Sequence, residues 1–115
     1  MKRFDLLAQI ALGEDSSRQF KADVRNADSL AAEMAAFANT NGGTIFIGVA
    51  DDGTTPGLSG EDVTRVNQLI SNSASQLVRS PLAVQTENLA MANDRIVIVL
   101  SVPRGLTSPI STRTG

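Results

Sequence analysis

The stretch FANTNGGTIFIGVADDG, Phe37 to Gly53, limits the possible folds more than any other part of the chain. Before it, Leu30, Met34, Phe37 and Ala38 stand at i, i+4, i+7 and i+8, the apolar stripe of a helix. Asp28 or Ser29 can cap that helix. Gly42 and Gly43 follow its end, where a positive φ is commonly needed. Thr44 to Val49 is apolar at nearly every position, which predicts a central strand buried on both faces. Gly48 sits inside that run, and a glycine there marks a bulge or a close approach of backbone or ligand. Asp51-Asp52-Gly53 is turn chemistry, and Pro56 and Gly57 prolong the loop.

The flanking segments supply the rest of a small α/β unit. Phe4, Leu6, Leu7, Ile10 and Ala11 predict a helix over residues 3–12, with Gly13 as its stop. Phe20, Ala22 and Val24 alternate with Gln19, Lys21, Asp23 and Arg25, the period of a strand with one buried face. Ser59 with Asp62 resembles a capping box. Val63, Val66, Ile70, Ala74 and Leu77 then space out a helix of about 16 residues, which Pro81 stops. A weaker strand over 83–90, a turn at Ala92-Asn93-Asp94 and a strong strand from Arg95 to Val102 predict a hairpin, and the tail reads as polar loop. The order is α-β-α-β-α-β-β. The expected fold is a single-domain α/β (α+β) two-layer sandwich with a four-stranded mixed sheet, the helices after the first two strands packed on one face.

Composition removes several function classes. The 115 residues hold no cysteine and no histidine. Disulfides, thiolate nucleophiles, imidazole catalysis and Cys/His zinc sites are therefore excluded within the chain. Acid–base or metal chemistry falls to carboxylates, which suit Mg²⁺ or Mn²⁺. No apolar run reaches the roughly 18 residues of a membrane span, and a cysteine-free chain fits the cytoplasm. The net charge of −2 gives no global attraction for nucleic acid. Residues 1–60 carry five basic and eight acidic side chains and residues 61–115 five and four, so binding would need a local basic patch.

The glycine-rich stretch admits two readings. One is a helix stop, a tightly packed strand and a turn. The other is an edge that faces a phosphate or a metal, since Asp51 and Asp52 lie just past a strand's C-terminal end, where α/β proteins often place sites. It is not a P-loop, because no Lys-Ser or Lys-Thr pair follows the glycines, and there is no GxGxxG. The architectural reading is primary: the stretch brings a helix end tightly against a central strand.

The segments QFKADV, AAFANTNGGTIFIGVADDG and PGL resemble the Schlafen/AlbA-like domain family, closely over residues 14–57 and more loosely to the VPRGLTSPISTRTG end. That resemblance implies an AlbA-like fold, in agreement with the element order. It also implies a domain at the N-terminus of a longer bacterial protein, of the kind labelled transcriptional regulator or RecG-related ATP-dependent helicase, with C-terminal domains as partners. An older family label, a divergent ATP-binding AAA module, implies ATP, for which Gly42, Gly43 and Thr44 would supply phosphate-facing backbone. Some vertebrate relatives, the Schlafens, cleave structured RNA with three acidic residues. Matched position by position, the first is Glu14, the second falls on Gln19, which is not an acid, and the third is Asp51 or Asp52. Glutamine offers a neutral oxygen where a carboxylate would help hold Mg²⁺ or Mn²⁺.

Four functions follow as expectations. The leading one is binding of DNA or RNA through the phosphate backbone, by a basic strip of Arg18, Lys21 and Arg25 that Arg104 and Arg113 could join. The four phenylalanines fit core positions, so base stacking is not expected. The alternatives are a metal-dependent endoribonuclease using Glu14 with Asp51 or Asp52, an ATP-binding module, and a homodimerisation module.

Overall fold

In a computed structural model, the structure describes residues 1–78, 83–105 and 111–112. The elements are α1 (Arg3–Ala11), β1 (Arg18–Lys21), α2 (Ala27–Ala38), β2 (Gly43–Ile47), α3 (Gly60–Ala74), β3 (Leu77–Val78), β4 (Gln85–Ala90), β5 (Ile96–Val102) and β6 (Ser111–Thr112). The main sheet has the order β1-β2-β5-β4. β1 runs parallel to β2, and β5 lies antiparallel to both β2 and β4. It is the four-stranded mixed sheet the sequence predicts, and it ends in the expected hairpin. Asp94 turns that hairpin at a φ of 61°.

Strand alternation divides the core in two. Ile45, Ile47, Ile98, Leu100 and Val102 face α2 and α3. Phe46, Val97 and Val99 point the other way and pack with Leu6 and Ile10 of α1. The two helices that follow β1 and β2 thus share one face, as expected, while α1 covers part of the opposite face. Phe20 meets Phe46 edge to face, with ring centroids 5.9 Å apart.

The glycines make this packing possible. Gly42 leaves α2 at a φ of +79°, and its amide donates to the Phe37 carbonyl at 2.8 Å. A Cβ there would lie 2.7 Å from the Val102 carbonyl oxygen, and one at Gly43 would lie 2.3 Å from the Phe37 ring. The end of α2 therefore seats on the sheet only because both side chains are absent. Gly48, at a φ of +102°, ends β2 in a bulge-like kink. Its amide and that of Val49 both donate to the Lys21 carbonyl, at 2.7 and 3.2 Å. Its Cα faces Gly57 and the Ile96 carbonyl so closely that a Cβ would stand 3.1 Å from that oxygen.

Several sequence expectations need correction. The first strand stops at Lys21, so the alternation does not run to Arg25. The kink that follows sends Phe20 and Val24 into different core clusters. The cap of α2 is Asn26, whose side chain accepts from the Ser29 amide at 2.9 Å, not Asp28 or Ser29. The capping residue of α3 is Ser59 as expected, accepting from the Asp62 amide at 3.2 Å. That helix stops at Ala74, and Leu77 joins β3. The tail contributes β6, paired with β3. Phe4 is not a core residue: it is 83% exposed.

Candidate nucleic-acid interface

β1 is an edge strand, and the loop after α1 caps it. Asp15 and Arg18 exchange main-chain hydrogen bonds at 3.1 and 3.4 Å. Glu14 accepts from the Phe20 amide at 2.7 Å through Oε1. These contacts engage the outward amides that an edge would otherwise offer to another strand.

Of the open grooves that touch β1, two contain the residues singled out in the sequence. The first, about 680 Å³, is lined by Glu14, Asp15, Arg18 to Asp23, Ala50 and Asp51. It brings Glu14, Gln19 and Asp51 together, three of the positions the resemblance assigns to metal chemistry. Asp52 is not among its lining residues. Asp52 instead accepts from Thr54, from the hydroxyl at 2.6 Å and the amide at 2.9 Å, and those bonds hold its carboxyl below the usual range. Gln19 Oε1 is buried without a hydrogen-bond partner, and Glu14 is committed to the strand edge. Among the described residues no group of three acidic, His or Cys side chains could hold a metal. Two carboxylates and a neutral amide carry one charge fewer than the three acids the resemblance assigns, a poorer fit to Mg²⁺ or Mn²⁺.

The second groove, about 450 Å³, lies at the start of β1 and β2. Gln9, Ser17, Arg18, Asn41 to Thr44, Ala83, Gln85 and Ser101 to Pro103 line it. None of these is acidic. It contains the predicted glycine edge, but those amides are engaged inside the fold: Gly42 donates to Phe37, Thr44 donates to the Ser17 carbonyl at 2.9 Å, and Gly43 pairs with Val102 in the β2–β5 ladder. Arg104 follows directly on the lining Pro103, and its backbone packs on Gly42. Its side chain is exposed. Among the described residues no acid pairs with it.

The expected basic strip is not one strip. Alternation along β1 turns Arg18 toward α1 and Lys21 toward α2. Arg18 donates to the Gly13 carbonyl at 3.1 Å and to Gln9 at 3.4 Å, and it pairs with Asp15. Lys21 pairs with Glu33 at 2.6 Å. Arg25 lies beyond the strand, 79% exposed, with Nε 3.1 Å from Asp23. Arg113 lies outside the described residues. Reasoning on charge alone missed Gln9, Asn41, Gln85 and Ser101. Gln85 and Ser101 meet only through the β4–β5 register, a long-range pairing with no local sequence signal. Arg65 was also missed. Its guanidinium reaches Asp23 at 2.7 Å and the Val24 carbonyl at 2.8 Å, fixing the segment after β1 to α3.

Comparison with known proteins fits this geometry. The family model described as "Schlafen, AlbA_2" matches residues 14–115. The chain belongs to that family. Among solved structures it is similar to the DIP2311 protein from Corynebacterium diphtheriae, at 24% identity and a TM-score of 0.58, over 97% of this chain and 24% of that one. That likeness supports the fold, and the chain spans about a quarter of that protein's length. Comparison with curated proteins finds no match. Family membership makes this a nucleic-acid-related domain. Among the described residues no helix is long and apolar enough to cross a membrane.

Proposed function

We propose that this domain binds nucleic acid through its phosphate backbone, at the acid-free groove between the starts of β2 and β4 and the end of β5. One observation carries the reading. In a chain of net charge −2, Glu14, Asp15, Asp23 and Asp51 gather in one groove, and the neighbouring groove has no acid in its lining. Arg18, which lines both grooves, is tied to Asp15, so the second groove offers uncharged amides and hydroxyls and the free guanidinium of Arg104 at its rim. Such groups suit phosphate and sugar oxygens and carry little base discrimination. With the Gly42 and Thr44 amides engaged inside the fold, side-chain contact to a phosphodiester is favoured over a backbone cradle for ATP. Phosphate binding of this kind would serve either setting the family suggests, a transcriptional regulator or an ATP-dependent helicase.

The test is fluorescence anisotropy against duplex DNA, single-stranded DNA and structured RNA at low salt. Arg104→Glu is expected to weaken binding to the best of these about tenfold or more, because it reverses a charge at the groove rim. Arg25→Glu, beside the other groove, is expected to change it less than twofold. Equal losses in both variants would contradict the assignment.

A further inference from the structure

The main sheet has a second edge, and among the described residues nothing caps it as the loop after α1 caps β1. The amide of Met91 donates to the Arg95 carbonyl at 2.7 Å. Antiparallel alternation from that bond turns the main-chain groups of Leu89, Glu87 and Gln85 toward β5. Those of Thr86, Asn88 and Ala90 point away from the sheet. Among the described residues no hydrogen bond reaches these three outward amides. Natural edges are usually blunted by lysine, proline, bulges or a covering element. Gln85 to Ala90 contains neither lysine nor proline. Its one charge, Glu87, is paired with the N-terminal ammonium of Met1.

We propose that the outer edge of β4 pairs antiparallel with β4 of a second copy of this chain, joining two sheets into one across a two-fold axis at Asn88. The strand is self-complementary about that residue. Thr86 would meet Ala90, and Asn88 would meet Asn88, so every outward donor finds an acceptor and no charge opposes its like. The second support is α1. The Met1–Glu87 pair places the start of α1 over β4. A two-fold axis normal to the sheet would set both copies of α1 on the same face, with their first turns beside the axis. Met1 and Phe4, 44% and 83% exposed, would then cover each other. An unrelated extended peptide would satisfy the main chain and leave that apolar surface in water. The contact is small, so the dimer belongs to the weak class.

Sedimentation equilibrium at on the order of 100 µM protein is expected to show a species of twice the 12.1 kDa chain mass. Asn88→Lys and Asn88→Glu each place like charges across the axis and are expected to weaken dimerisation about fivefold. Mixing the two variants is expected to restore it. Asn88 is exposed, so both variants should keep the wild-type melting curve, which shows that they fold. Phe4→Ser should also weaken the dimer without touching the edge. A wild-type chain that stays monomeric at this concentration would overturn the proposal. So would a dimer whose dissociation constant in both Asn88 variants is the same as in the wild type.

Discussion

Gly42 and Gly43 set the hardest geometric condition in the molecule. The positive φ at Gly42 would cost an L-residue about 1–2 kcal/mol, and crowding a Cβ against the Val102 carbonyl would add roughly 1–3 kcal/mol. Gly42→Ala is therefore expected to lower the melting temperature by about 10 °C or more in calorimetry, since 1 kcal/mol shifts a domain of this size by about 4 °C. A shift under about 2 °C would contradict the packing described here. Asp23 gives a pH signature. Burial pushes its carboxyl up, but the hydrogen bond from Arg65, the Val24 amide and the charges of Arg65 and Arg25 outweigh it and hold the carboxyl below its ordinary 3.8. A depressed folded-state value contributes stability at neutral pH and loses it as pH falls through about 4 and below. Asp23→Asn is expected to be less stable by about 1 kcal/mol at pH 7, with the difference shrinking toward pH 3 in urea titrations. Gln19 is the residue to alter for metal binding. Gln19→Glu would put a charge where an oxygen is already buried, so its melting temperature should fall and Mn²⁺ should restore it. Mn²⁺ should leave the wild type unchanged. A Mn²⁺-stabilised wild type would show that the donor set is sufficient without a third carboxylate.

At the scale of elements, local sequence reveals type and order but not boundaries. The stripe of α2, the apolar run of β2 and the β4–β5 hairpin were legible because their periodicity is local and strong. The end of β1 was not. Alternation continues in the sequence to Arg25, but Gly48 and Val49 both take the Lys21 carbonyl, and the kink they produce sends Val24 to the other core. That competition lies between segments far apart in the chain. Phe4 misled for a related reason: α1 has apolar residues on two sides, and only the side bearing Leu6 and Ile10 finds the sheet. The edge cap on β1 gives an element-scale prediction. Glu14→Ala removes the acceptor for the Phe20 amide, so that amide should exchange with solvent at least tenfold faster in hydrogen-exchange measurements. The Phe46 amide, in the central strand, should be unaffected. An unchanged Phe20 rate would mean that the carboxylate does not close the edge.

At the scale of the whole molecule, the candidate site was only half legible. The glycines and Arg104 were visible as residues of interest, but their grouping was not. Charge counting suggested a strip on β1, and the fold splits that strip between two faces and ties most of it to acids. What the sequence could not show is the sorting of acids into one groove and uncharged polar groups into the next, because β4 and β5 complete the second groove from the far end of the chain. The account therefore stands on Arg104 making a phosphate contact. The direct measurement is the slope of log K against log salt concentration for the best-bound nucleic acid, in wild type and in Arg104→Ala. Loss of one phosphate contact is expected to make the slope shallower by about 1. An identical slope in the two proteins, with or without a change in affinity, would contradict the assignment of this groove.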